Sequence, residues 1–494
     1  MAHNAGVSAP TFELEAWSSN YTPPLHPLRL AHVAGNCPPL AQQALQIAIT
    51  STKNGKDVAL YTRLVGLAKK LGFNELAELD TEWVDRTEDA NKRESSRLEQ
   101  ELKGYKNNLI RESIRMGQED LATHMLLTGG PAPLPASENE PPQSAQTVGL
   151  NAAYSAFGKM RDYCTTPTHV ASMTLRLLLT AFVQAVSAQQ TGSAATGHFN
   201  AVLANSNRLR SVGVKDEELA KLQPISASAN GIAFLGTGNY RDAAESFLSV
   251  SFDLTTNGPI HNFDFTRAVA SANDIAIYGG LTALATLTRE DLSRRVLGGP
   301  FRAFLELEPH MRKAISLFTT AKYRACLDTL QRYYSDWNLD VFLGGPAGHT
   351  HGRTHVDALL AHIRQKSITS HVASYSQITL SSLAATFPPP PTSQATTPEA
   401  ALEEEITTLI QTAALPFRLD LVSGTLVAPA SDARAKTHAD ASAAADEVER
   451  TLLLRLHRVN VALAGLEVQP EKRQGGGVPG VPEGWRGSRG VAQG

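Results

Sequence analysis

Three cysteines in 494 residues are too few to staple a fold. Cys37, Cys164 and Cys326 are odd in number, far apart and outside any CxxC or CxxH spacing. They predict a reducing compartment, with each thiol a small packing residue. Net charge is scarce as well. A formal balance of −3 gives no field for gathering nucleic acid or an acidic membrane surface. No stretch of about 18 uninterrupted apolar residues occurs, so no membrane span is expected. The opening MAHNAGVSAPTFELEAWSSN has no basic segment followed by an apolar core, so no signal peptide is expected either. GxSxG, HExxH and GxxxxGK[ST] are all missing. What remains is a mixed-polarity chain, 42% hydrophobic and 19% charged, long enough for roughly three domain-sized units.

The apolar spacing is mostly helical. In RESSRLEQELKGYKNNLIRESIRMG, Leu98, Leu102, Tyr105 and Leu109 step by four, three and four, which predicts one stripe with the charges facing water. A second pattern recurs in GNYRDAAESFL (Tyr240, Ala243, Phe247) and AKYRACLDTL (Tyr323, Cys326, Leu330). GLNAAYSAFGKM carries a weaker copy in Ala153, Phe157 and Met160. A small residue that admits a partner helix, followed one turn later by a large one, is how the second helix of a helical hairpin packs. The copies lie too far apart for a clean array of roughly 34-residue units, so degenerate TPR-like repeats are expected. The run NDIAIYGGLTALATLTRED (273–291) lacks the alternation of a strand, and no Lys-Ser/Thr pair follows its glycines. It predicts a helix buried on most sides, with Gly279 and Gly280 admitting a close neighbour. Gly236-Thr237-Gly238 reads as a hairpin turn.

After about residue 365 the pattern changes. Gln377–Leu380 is a short extended run, followed by a short apolar helix. PPPPTSQATTP (388–398) excludes helix and ladder. EAALEEEITTLIQTAAL then gives an amphipathic helix through Leu402, Ile406, Leu409 and Ile410. In FRLDLVSGTLVAP the alternation of Phe417, Leu419 and Leu421, then Ser423-Gly424, then Leu426, predicts a hairpin. Helix, strand, helix, loop, helix, hairpin is the order of a winged helix. Past Ser431, Val448, Leu452, Leu456, Val459, Leu463 and Leu466 form one narrow apolar seam on a helix that needs other helices to cover it. The tail from 469 to 494 and the insert PAPLPASENEPPQSAQ (131–146) are expected to be unstructured.

One cluster has the look of metal chemistry. HTHGRTH supplies His349, His351 and His355, but the JAMM metalloprotease arrangement needs Ser and Asp where Leu359 and His362 stand. The third ligand is therefore missing, and no catalytic, cofactor or metal site is expected. The winged helix raises nucleic-acid binding, yet its second helix carries Glu399, Glu403, Glu404 and Glu405, which repel phosphate. A small sheet with free edges fits protein contact instead.

Helical hairpins running into a winged helix and a terminal helix is the layout of PCI-domain subunits. FELEAWSSNY (12–21), TEWVDRTEDANKR, LIRESIRMGQEDL, KMRDYCTTPTHV, NDIAIYGGLTALATLTREDL, FLELEPHMRKAI and LEEEITTLIQTAAL resemble the first-subunit family of the COP9 signalosome over most of residues 12–466. The paralogous subunit of the proteasome regulatory lid is the nearest alternative, and a winged-helix nucleic-acid regulator the next. The resemblance implies an all-α dominated scaffold with no activity of its own, in cytoplasm and nucleus, in a complex that deneddylates cullins through a JAMM subunit. It implies a helical arm (1–125), a helical-repeat domain (149–365), a winged-helix part of the PCI domain (366–428) and a bundle helix (431–468). It implies that Gln377, Ile378, Leu380, Leu419, Leu421 and Leu426 serve a subunit interface through the sheet. Val448, Leu452, Leu456, Val459, Leu463 and Leu466 would enter a shared bundle with other PCI and JAMM-type subunits. Cullin-RING ligases would be met through the complex. Inserts at 344–354 and 388–398 depart from the family layout.

Overall fold

A computed structural model describes residues 12–129, 145–346, 353–388, 397–412, 415–429 and 433–465. The chain forms two compact units, Met1–Val427 and Ala428–Gly494. The first begins with α1 (Leu14–Ser18), α2 (Leu25–Asn36), α3 (Pro38–Lys53), α4 (Val58–Leu71), α5 (Thr81–Asn107) and α6 (Arg111–Leu127). Leu98 and Leu102 of α5 are buried with Ile114 and Leu121 of α6, and Tyr105 packs against them. Leu109 leaves the predicted stripe. The helix ends at Asn107, Leu109 turns left-handed at φ 55° and its side chain is 81% exposed. Lys103 and Lys106 face water as the spacing predicts, and the exposed Asn107 and Asn108 lead into the break of a hairpin.

The repeat region follows as antiparallel neighbours: α7 (Ala145–Lys159), α8 (Pro167–Thr191), α9 (Thr196–Ser211), α10 (Asp216–Gly236) and α11 (Tyr240–Leu248), each packing on the next. α8 is long and apolar enough to cross a membrane, but 83% of its most apolar window is buried inside the protein, as in a core helix. The recurring triplets behave as the spacing predicts. Tyr240, Ala243 and Phe247 are buried on α11, and Ala153, Phe157 and Met160 at α7 and the 3-10 turn after it. The Phe247 ring covers Gly231 of α10, where an added Cβ would lie 2.6 Å from it. That is the close approach the small-then-large pattern implies.

Next come α12 (Phe265–Ala268), α13 (Ala272–Thr286), α14 (Arg289–Asp291), α15 (Arg302–Leu307), α16 (Pro309–Thr319), α17 (Tyr323–Arg332) and α18 (Tyr334–Asn338). α13 takes the apolar run 273–291 only as far as Thr286; Leu287 ends the helix and Thr288 caps the separate α14. Ser271 and Asp274 close a capping box at its start. Nearly every side chain along it is buried. A Cβ on Gly279 would meet Phe301 at 2.4 Å and one on Gly280 would meet Met311 at 2.8 Å. At its far end Lys366 donates to the carbonyls of Leu284, at 2.7 Å, and Leu287. These are carbonyls that a helix C-terminus leaves unpaired. Tyr323, Cys326 and Leu330 bury one face of α17 in the same way as α11.

α19 (His355–Val372), β1 (Gln377–Thr379), α20 (Leu380–Thr386), α21 (Pro398–Gln411), β2 (Arg418–Asp420) and β3 (Thr425–Val427) complete the first unit in the predicted winged-helix order. α19 runs unbroken through 365 and 366, so the helical repeats and the winged helix share it. α22 (Ala433–Leu463) is the helix of the second unit.

Candidate assembly surfaces

The sheet has order β1-β3-β2, with both pairings antiparallel. Ile378 faces Leu426 across one ladder and Leu419 faces Leu426 across the other. β3 is central, so the outer edges of β1 and β2 carry backbone groups that are unpaired within the sheet. Such edges are templates for another strand. The side chains named for this surface divide by burial. Ile378, Leu380 and Leu426 are 8%, 7% and 0% exposed, in the same buried set as Leu383, Leu402, Ile406 and Leu409. They build the module. Gln377 is exposed and Leu419 half-buried.

Two of those residues lie outside the strands assigned to them. Leu380 opens α20, because Thr379 caps the helix there, although its N–H still bonds to the carbonyl of Gly424 at 2.9 Å. Leu421 belongs to the turn and is 64% exposed. The Asp420 carboxylate accepts from Val422 N at 3.0 Å and the Ser423 hydroxyl at 2.6 Å, which bends the chain one residue before the alternation ends. Those hydrogen bonds also hold the Asp420 carboxyl below its usual range.

α21 is acidic in place. Arg364 of α19 grips Glu405 through Nε, 3.1 Å from each carboxylate oxygen, and also donates to the carbonyl of Pro388 at 2.8 Å. Glu399 and Glu404 are exposed, and no Lys or Arg lies on this helix. A groove-reading helix needs the opposite sign.

In the second unit, Val448, Leu452, Leu456, Val459 and Leu463 are between 54% and 81% exposed. Leu453 at 58% widens the stripe, which the strict four-and-three stepping had passed over. Its signal was available, since Leu453 lies three residues before Leu456. Ala444, Ala445, Val448, Leu452, Leu453 and Leu456 line one apolar groove. Leu466 lies outside the described residues.

His349 and His351 also lie outside them. His355 is fully buried at the start of α19, its Nδ1 3.1 Å from the Tyr240 hydroxyl, and burial pushes its imidazolium down to about 4. It is a core residue of the junction between α11 and α19. Cys326 is likewise inert, its thiol pushed up to about 12 by burial. Among the described residues, no three His, Cys, Asp or Glu side chains come together in a way that could hold a metal.

Comparison with known proteins fits this layout. The family model described as 26S proteasome subunit RPN7 matches residues 80–130 and 145–295, and that of the PCI domain matches 329–429. The COP9 signalosome complex subunit 1 of Emericella nidulans is 39% identical over 468 residues, covering 94% of this chain and 84% of that protein. Its namesake in Neurospora crassa is 32% identical over 450 residues, 91% of this chain and 90% of the relative. The Arabidopsis thaliana protein of that name is 29% identical over 466 residues, 92% and 91% of the two chains. The repeat helices, the winged helix and these end-to-end similarities agree: the chain belongs to the COP9 signalosome subunit 1 family, with a PCI domain as its C-terminal module.

Proposed function

We propose that this chain is a non-catalytic scaffold subunit of a COP9 signalosome, the complex that deneddylates cullins of cullin-RING ligases. The observation that carries the reading is the 31-residue α22, whose apolar seam is exposed along five positions. Burying each such side chain is worth about 1.5–3 kcal/mol, so the seam is a strong drive toward a bundle with helices of other subunits. The open edges of β1 and β2 offer a second contact by strand addition, with Gln377, Leu419 and Leu421 beside it and Ile378, Leu380 and Leu426 holding the sheet in shape. The partners are other PCI and JAMM-type subunits, and cullin ligases are reached through the assembly. Residues 1–125 form the arm left to meet ligases or regulators, 149–365 the repeat domain, 366–428 the winged-helix part and 431–468 the bundle helix. Cytoplasm and nucleus are its compartments.

The test is to tag the chain, purify it gently from its own cells, and measure native mass and cullin-deconjugating activity. A large assembly that trims modified cullins, beside an inactive isolated chain, supports the scaffold. Co-purification with proteasome particles would refute it. Salt-sensitive retention on DNA by a free monomer would equally do so.

A further inference from the structure

The tip of the α5–α6 hairpin belongs to neither the sheet nor α22. α5 ends at Asn107 and α6 begins at Arg111, so Asn108, Leu109 and Ile110 make the turn. The Asn108 N–H bonds to the carbonyl of Gly104 at 3.1 Å and the Leu109 N–H to that of Lys106 at 3.2 Å. Ile114 N–H closes the start of α6 on the Ile110 carbonyl at 3.0 Å. Just below the turn Tyr105 packs over Gly117, where an added Cβ would lie 3.0 Å from the ring. The turn is thereby held in one shape. Leu109 sits left-handed just past the α5 C-cap, a position that glycine fills without steric cost. Nothing in the fold asks for leucine there, since its side chain is 81% exposed. Ile110 beside it is 53% exposed.

The charge around these two side chains has one sign. From Leu102 to Arg111 the chain has no carboxylate and three cations, Lys103, Lys106 and Arg111. All three are exposed, and none makes an ion pair among the described residues. The next acids on either side in sequence are already held, Glu101 by Arg97 at 2.6 Å and Glu112 by Arg115 at 2.6 Å. Glu99, also exposed, stands one turn before Lys103. A fixed turn with two apolar side chains flanked by unpaired cations complements a segment of the opposite charge that brings an apolar side chain of its own. A bilayer fits less well, because two side chains bury little hydrocarbon. Nucleic acid fits less well again, because the one ring near the tip, Tyr105, packs inward and offers no face to a base.

We propose that the α5–α6 tip docks an acidic segment of a protein partner that carries leucine or phenylalanine, with Leu109 and Ile110 as the apolar anchor and Lys103, Lys106 and Arg111 as the charges that orient it. The proposal deepens, and rests on, the reading of residues 1–125 as the arm that meets ligases or regulators. The assembly reading rests on α22 and stands if this one fails.

Fluorescein-labelled Asp-Glu-Leu-Asp-Asp-Phe-Glu-Glu-Leu-Asp is titrated with the full-length chain and followed by anisotropy. Beside it run a peptide with Gly for each Leu and Phe, one with Lys for each acid, and vesicles of phosphatidylcholine with phosphatidylserine. The acidic apolar peptide should bind saturably, about tenfold or more tighter than either control peptide, and should weaken as salt is raised. Lys106→Glu with Arg111→Glu should lower its affinity about tenfold. Lys69→Glu with Lys70→Glu, the same change of charge at exposed sites on α4, should change it less than about twofold. Leu109→Gly should lower affinity about fivefold while Tm holds or rises, because glycine relieves the left-handed turn. No saturable binding, or an equal loss from the α4 pair, overturns the docking site. Unchanged affinity in Leu109→Gly removes the anchor and the proposal with it. A loss accompanied by a lowered Tm shows a leucine that supports the turn, and overturns the anchor as well. Vesicles bound as tightly as the peptide overturn the protein source.

Discussion

α13 and α22 are both rich in apolar residues and end in opposite surroundings. Along α13 the apolar residues are nearly continuous, from Ile275 to Ala285, and the chain packs on all sides of it. Along α22 most of them fall on a stripe that is exposed from Val448 to Leu463, with Leu454 exposed off it. Continuous apolarity demands enclosure within one fold, because no face is left for water. A narrow stripe demands only one covered face, which another chain can supply. The contrast explains why α13 is closed in by its own chain while α22 keeps its stripe open.

The same substitution in both helices tests the contrast most severely. Leu281→Asp, at a side chain 0% exposed, should destabilise the fold by about 4 kcal/mol or more, read by urea unfolding. If it were tolerated, α13 would not be the enclosed element described. The second test concerns acid. His355 titrates at about 4 in the folded protein against about 6.5 unfolded. Between those values the unfolded chain holds a proton that the folded chain refuses. Stability should therefore be full above pH 6.5 and fall toward pH 4, by about 3 kcal/mol from this residue. His355→Gln should remove that share of the slope, leaving contributions from groups such as His32, also held down by burial. Equal slopes in both proteins would place His355 in contact with water.

Gly279→Ala comes next. Its Cβ would lie 2.4 Å from the Phe301 ring, and the forced shift should cost about 1–3 kcal/mol despite the better helix propensity of Ala. Stabilisation instead would mean the ring moves freely. The smallest effect on the fold belongs to α22. Leu452→Asp with Leu456→Asp should change unfolding stability by less than about 0.5 kcal/mol, since both side chains are more than half exposed. Partner subunits should nevertheless disappear from the native complex. Retained co-purification would show that the seam is not the bundle contact.

The residues that could be read from sequence are those whose environment is set within a few turns. The triplets on α11 and α17 and the enclosure of α13 follow from local periodicity. Leu109 and Leu421 were misplaced because each continues a periodic pattern across a break made by backbone geometry, a left-handed residue in one case and an Asp-capped turn in the other. The buried pairing of Arg29 with Asp340 could not be read at all. Arg29 and Asp340 stand 311 residues apart, and nothing near either names the other.

By itself, then, the sequence determined where apolar faces form, because 3.6-residue and two-residue periods are properties of a single segment. It also determined the acidic character of α21 and the family resemblance. Tertiary structure alone decided which faces stay open and which charges meet. Burial depends on every element that packs nearby, and a guanidinium finds its carboxylates only after α2, α13 and the segment beyond α18 have been brought together.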